Sequence, residues 1–200
     1  MPKSLHEMSL IQITHELIPA IKLLPYNDNL ICPSVETGIE LQSSSGDFTT
    51  VPDIALLLSC QLGLHMDPQI VFVGECAFSQ SKEVLAEKLQ CEVDAHPEII
   101  MALMIILTES TLYHSPKAEL TTWHMFHHHP EPISFSEFME MMPKKDGDSK
   151  ALGPVTVAEH PWSRITHIDH YIWVKDGEEK INISQCHSPM TAHGVSKSGK

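Results

Sequence analysis

The fold is decided by two apolar stretches, VPDIALL at residues 51–57 and VFVGECA at residues 71–77. Successive side chains of a β-strand point to opposite faces, so each stretch places one acid, Asp53 or Glu75, on a face of apolar or small residues. An unpaired ionised carboxylate is costly in such surroundings, and each acid is expected to be paired, protonated or bound to a cation. On neighbouring strands the two acids could hold one Mg²⁺ or Mn²⁺ ion, which prefer oxygen ligands. The alternative is that each acid lies at a strand end in water.

A helix is predicted directly after the second stretch. Ser81 is a suitable N-cap, and Pro97 ends the segment. At about 100° per residue, Lys88 falls within the broad apolar sector of this helix and Lys82 lies at its edge. A lysine directed at the acidic pair would steady a phosphate or orient an attacking water. Alternatively, Lys88 pairs with Glu92 one turn further along the helix.

The flanking segments predict a mixed α/β layout in the order helix, three strands, helix, strand. The leading helix begins with a capping-box sequence at residues 4–7, and Pro19 is expected to kink it or split it in two. Strands are predicted at residues 36–42, 48–58 and 69–78, and another, covered on both faces, at 99–107.

The second half of the chain is predicted to be an extension beside a core domain of residues 1–113. A short helix is expected at residues 134–142, and Asp176-Gly177 favours a tight hairpin turn between strands at 165–174 and 179–183. His127-His128-His129 precede two prolines, which predicts an exposed loop, with transition-metal binding as the alternative. The extension is expected to end at residue 184, and residues 185–200 are predicted to be a mobile tail.

Composition limits the possible functions. The formal net charge is −13, and up to Tyr113 the only basic residues are Lys3, Lys22, Lys82 and Lys88, against fifteen acidic ones. Proteins that hold nucleic acid through phosphate contacts usually show a basic footprint. A role on nucleic acid would therefore depend on a metal ion, a partner subunit or a further domain.

The compartment is also constrained by composition. With 42% hydrophobic and 20% charged residues the chain is typical of soluble globular proteins. Five cysteines without a CxxC pair favour a reduced compartment over a disulfide framework. No apolar stretch approaches the roughly 18 residues that span a bilayer, and the first residues lack the apolar run of a signal peptide. The expectation is an intracellular protein, cytoplasmic or nuclear, with no membrane partner.

The segments around the two acids carry a resemblance. Val51-Pro52-Asp53, then the run from Val73 through ECAFSQS at residues 75–81, then Lys88-Leu89 resemble the PD-(D/E)xK superfamily of restriction-endonuclease-like proteins. The ECAFSQS segment is also similar to one in uncharacterised fungal proteins. The resemblance covers about residues 36–108 and, more loosely, the leading helix. It implies an α-β-β-β-α-β core, Asp53 and Glu75 as metal ligands, and Mg²⁺-dependent phosphodiester cleavage.

The chain departs from that pattern at one position. The superfamily has its lysine two residues after the glutamate, where this chain has Ala77. Lys88, or with less support Lys82, would have to replace it.

The resemblance implies further site residues. The superfamily's extra acid on the first helix would be Glu16 or Glu7, and Gln80 is a candidate polar group near the metal.

Three functions remain open on the sequence. The first is a metal-dependent nuclease. The second is a catalytically inactive nuclease-fold module that binds a protein partner or a second copy of itself, which Ala77 and the acidic composition favour. The third treats the histidine-rich second half as the working part.

Overall fold

A computed structural model of the chain describes residues 3–43, 46, 48–60, 67–78, 81–110, 114–128, 133–141, 155–185 and 190–197. Within these residues the protein is a mixed α/β fold with four helices, a six-stranded sheet and two small two-stranded sheets. The helices are α1 (Lys3–Lys22), α2 (Lys82–Ala95), α3 (Thr121–His127) and α4 (Phe135–Glu140). The strands are β1 (Ile31–Glu36), β2 (Leu41–Gln42), β3 (Thr49–Thr50), β4 (Ile54–Cys60), β5 (Gln69–Phe78), β6 (Met101–Glu109), β7 (Val155–Val157), β8 (His160–Ser163), β9 (Ile165–Val174) and β10 (Thr191–Lys197).

The large sheet has the order β1-β4-β5-β6-β9-β10, and β4 is antiparallel to both β1 and β5. Ile54 on β4 is paired with Gly74 on β5. Asp53 precedes Ile54 and Glu75 follows Gly74, so this register brings the two acids to the same level of neighbouring strands. Helix α2 then connects β5 to its neighbour β6. The predicted mixed α/β class is confirmed, whereas the assignment to a PD-(D/E)xK core stays a prediction.

Gly74 is required by this close pairing. A Cβ at residue 74 would lie 2.7 Å from Cγ2 of Ile54, closer than real Cβ contacts allow. Because Gly74 has no side chain, Ile54 of β4 packs directly against the backbone of β5 next to Glu75.

The chain forms two compact units, one made of Pro2–Ile106 with Asp169–Val195 and the other mainly of Leu107–Ile168. The first unit has a core in which the apolar face of α2 (Leu85, Leu89, Val93) is buried with β5, β6 and the end of β9. Burial of these side chains removes apolar surface from water, which stabilises the fold. The observed division differs from the predicted boundary at residue 113, because residues 169–195 belong with the first unit.

The leading helix is continuous. Helix α1 runs from Lys3 to Lys22 with Pro19 inside it, so of the two predicted effects of Pro19 the split into two helices is wrong. Pro19 has no N–H to donate to the His15 carbonyl, and the helix continues for three residues beyond it.

The predicted hairpin around Asp176-Gly177 is only partly present. Strand β9 is confirmed and Gly177 adopts a positive φ of 55°, but the strand predicted at residues 179–183 is wrong. Ile181 and Ile183 are instead buried in the core, and Gln90 of α2 bonds the backbone at both residues (3.3 and 2.8 Å). Burial of two isoleucines and these two hydrogen bonds outweigh the local preference for a hairpin.

Strand β9 lies between β6 and β10, and β10 (Thr191–Lys197) is at the edge of the sheet. The prediction of a mobile tail is therefore wrong for these residues. The segment has few large apolar side chains, so its sequence pattern does not reveal the strand.

The histidine-rich segment contains helix α3, although the prolines that follow it indicated a loop. His127 is the last residue of α3 and His128 is its C-cap, so the loop prediction is wrong for His127. His129, Pro130 and Pro132 lie outside the described residues. Helix α4 confirms the short helix predicted at residues 134–142.

A small hairpin of β7 and β8 was not predicted. Its turn residues Ala158 and Glu159 have positive φ values of 48° and 67°. Two consecutive positive φ angles suit a tight hairpin, but the usual residues there are asparagine and glycine. A hydrogen bond from the Thr122 hydroxyl to the Ala158 carbonyl holds this turn.

Of the helices that the structure describes, none has the length and apolar character needed to cross a membrane.

Candidate active site

Asp53 stands just before β4 and is anchored to β5. Its Oδ2 accepts a hydrogen bond of 2.7 Å from the backbone amide of Cys76. The amide belongs to the residue after Glu75, so this bond fixes the Asp53 carboxylate beside the Glu75 backbone. Strands β4 and β5 are neighbours as predicted, but Asp53 lies directly before β4 and only Glu75 lies within a strand.

Glu75 is buried, with 2% of its side chain exposed, and Lys88 is its partner. The Lys88 Nζ lies 2.7 Å from Oε1 and from Oε2, and donates a hydrogen bond to Oε2. Nζ also donates to the Val51 carbonyl oxygen at 3.0 Å. Lys88 therefore joins α2 both to the acid on β5 and to the segment that carries Asp53.

Glu92, one turn after Lys88, is a site residue that the sequence analysis considered only as a partner for Lys88. It is fully buried, accepts a 2.7 Å hydrogen bond from the Thr50 hydroxyl, and lies 3.9 Å from the Lys88 Nζ. Its Oε2 is buried and has no hydrogen-bond partner. The sequence signal for a role of Glu92 was its position on the apolar face of α2, between Leu89 and Val93.

Burial favours the protonated form of two acids in this cluster, Glu75 and Glu92. Burial raises the pKa of Glu75 to about 8, with Glu92 and Asp53 adding to the shift and Lys88 opposing it. Burial also raises the pKa of Glu92, and the Thr50 hydrogen bond and the Lys88 charge oppose this shift. Both buried acids are therefore held toward their neutral forms, although Lys88 lies beside them.

Cys76 is a poor nucleophile in this setting. Burial, together with the charges of Asp53 and Glu75, raises the pKa of its thiol to about 12. Since only the thiolate attacks, covalent catalysis by Cys76 is not supported.

The donor set fits a magnesium-type ion. Mg²⁺ is usually bound by one or two carboxylates and keeps several waters, and Asp53 and Glu75 offer such oxygens. The raised pKa values of Glu75 and Glu92 and the unpartnered Oε2 of Glu92 are expected of buried acids whose charge one ammonium balances only in part. Among the described residues no group of three or more histidine, cysteine, aspartate or glutamate side chains could hold a metal ion. A cation at this site would have Asp53 and Glu75 as protein ligands, and water would complete its coordination.

The other predicted site residues lie elsewhere or are not described. Glu16 is exposed and accepts a 2.9 Å hydrogen bond from Gln12 of the same helix. Lys82 places its ammonium 4.1 Å from the ring centre of Tyr171, a cation–π contact. Of the two candidate lysines, Lys88 is the one in contact with Glu75. Gln80 and the side chain of Glu7 lie outside the described residues.

The histidines of α3 stack on the surface. The rings of His124 and His128 are parallel with centres 5.7 Å apart, and His127 stacks on Trp123 at 4.6 Å. All three histidines are exposed. Ring stacking accounts for their arrangement, so the third hypothesis gains no site from these residues.

Comparison with known proteins adds no relative to these observations: the chain matches no family model, no curated protein and no solved structure.

Proposed function

We propose that the chain is a metal-dependent phosphodiesterase acting on nucleic acid, with Asp53 and Glu75 as ligands of a Mg²⁺ or Mn²⁺ ion. The observation that carries the proposal is that Asp53 is bonded to the amide of the residue after Glu75, while Lys88 is in contact with Glu75. A buried carboxyl with a raised pKa beside a specific charged partner is typical of functional sites.

Each residue has a distinct role. A divalent cation, when bound, supplies a charge that neutralises the scissile phosphate and lowers the pKa of its bound water. Asp53 presents its carboxylate in an orientation fixed by the Cys76 amide. Lys88 stabilises negative charge that develops on the phosphate, from a position set by Glu75 and the Val51 carbonyl. The negative net charge makes approach of a polyanion dependent on the cation.

The direct test uses the wild-type chain. We expect Mn²⁺ and Mg²⁺ to bind in titration calorimetry and to support cleavage of single- or double-stranded DNA or RNA. EDTA should remove the cleavage completely, and added Mn²⁺ should restore it. Absence of both cation binding and cleavage would overturn the proposal.

The second candidate is a catalytically inactive module that binds a protein partner or a second copy of the chain. The observation that favours it is the Lys88 ammonium, which lies 2.7 Å from both oxygens of Glu75. An ammonium so placed acts as a built-in cation and makes a metal ion unnecessary for balancing the buried charge.

Lys88→Gln distinguishes the two candidates. If the site is a nuclease, removing the ammonium frees the Glu75 oxygens, so cation affinity should be retained or rise while cleavage falls by about a hundred-fold, the usual cost of one group that stabilises developing charge. If the site is an inactive module, neither the wild type nor the variant should bind Mn²⁺. Lys175→Gln is a suitable control, because Lys175 is bonded to the Pro97 carbonyl and not to the acids.

A further inference from the structure

Helix α2 holds the segment between β3 and β4 through two residues one turn apart. Glu92 accepts the Thr50 hydroxyl at 2.7 Å, and Lys88 donates to the Val51 carbonyl at 3.0 Å. Two residues later, Asp53 is bonded to the Cys76 amide of β5 at 2.7 Å. The short stretch that presents Asp53 is therefore fixed at successive points by the helix and the strand that carry Lys88 and Glu75.

A glutamate at buried position 92 is unfavourable if only the stability of the fold is considered. It is fully buried on the face of α2 that also carries Leu85, Leu89 and Val93. A buried charged network is often no more stabilising than apolar residues of similar volume. A leucine at position 92 would suit the packing, but it would leave the Thr50 hydroxyl without its acceptor.

We infer that Glu92 and Thr50 are positioning residues, which set the distance between Asp53 and Glu75 through the 50–53 segment. Thr50 lies three residues before Asp53, and Glu92 lies 3.9 Å from the Lys88 ammonium that contacts Glu75. This inference rests on the proposed cation site. Outer groups that orient ligating carboxylates commonly affect metal affinity by about ten-fold or more.

The test compares three threonine variants. Thr50→Val keeps the shape and removes the hydroxyl, Thr50→Ser restores a hydroxyl, and Thr49→Val is the control, since Thr49 is exposed on the same two-residue strand. We expect Mn²⁺ affinity, measured by calorimetry, to fall about ten-fold in Thr50→Val and to remain within about two-fold of wild type in the other two. Amide hydrogen exchange across residues 50–53 should rise only in Thr50→Val.

Glu92 is tested in the same way. Glu92→Gln keeps an acceptor for Thr50 and should preserve slow exchange at residues 50–53, whereas Glu92→Leu should speed the exchange and weaken Mn²⁺ binding about ten-fold without a fall in the melting temperature. Glu87→Gln, at an exposed position of the same helix, is the control.

The outcomes separate the two proposals. Unchanged exchange in Thr50→Val, or unchanged Mn²⁺ affinity with faster exchange, would overturn the positioning role alone. A wild type that binds no Mn²⁺ would overturn the proposed function, and this inference with it.

Discussion

Asp53→Asn is expected to lower Mg²⁺-dependent cleavage by about a thousand-fold. A metal ion supplies several kcal/mol of charge stabilisation to phosphoryl chemistry, and each factor of ten in rate corresponds to about 1.4 kcal/mol. The substitution removes one of the two charges that would hold the cation. Asparagine keeps an oxygen that can accept the Cys76 amide hydrogen bond, so the local structure should persist. Single-turnover cleavage of a labelled oligonucleotide measures the loss.

Asp67→Asn is the matched control, because Asp67 is an exposed acid outside the cluster. It should cleave at the wild-type rate, and both variants should melt near the wild-type temperature. If Asp53→Asn cleaves as fast as Asp67→Asn, Asp53 has no part in the reaction.

Glu75→Gln is expected to make the protein progressively more stable than wild type as the pH rises from about 5 to 8. The pKa of Glu75 rises from its usual value of 4.5 to about 8 on folding. Between these values the folded state binds a proton that the unfolded state has released. Wild-type stability therefore falls with rising pH across this window, at up to about 1.4 kcal/mol per pH unit for one proton.

The sign follows from the raised pKa: the contribution of protonated Glu75 is complete below pH 4.5 and is lost as the pH passes about 8. Glutamine has no such titration, so the difference in unfolding free energy between the two proteins should grow in favour of the variant. Urea unfolding at several pH values measures this difference, with Glu87→Gln as a control that should follow wild type. A difference that stays constant with pH would show that Glu75 is ionised in the folded protein throughout.

The central part of the fold was predictable because its signals are local. The apolar pattern around Glu75 located β5, and the pattern around Asp53 located most of β4, although the strand predicted at residues 48–58 is interrupted between Thr50 and Ile54. Ser81 is confirmed as the N-cap of α2, since its side chain accepts the Val84 amide. Helical periodicity then placed Lys88 on the side of the helix that faces the acids.

The parts that were missed depend on contacts between distant residues. Thr50 and Glu92 are 42 positions apart, and their hydrogen bond has no counterpart in any spacing rule. Ile183 is tied to Gln90 across 93 positions, which overrides the hairpin expected from Asp176-Gly177. The turn at Ala158 and Glu159 was missed for a different reason: neither residue is typical of its backbone conformation.

Completion of the core by residues from the C-terminal part of the chain has a consequence for synthesis. Trp173, Ile181 and Ile183 are buried with Leu89 of α2, and Gln90 bonds the backbone of both isoleucines. During translation, α2 leaves the ribosome roughly ninety residues before these partners, so part of its apolar face stays uncovered until they have been synthesised. The nascent chain therefore gains a closed core, and with it a settled α2 carrying Lys88 and Glu92, only after synthesis has passed Ile183.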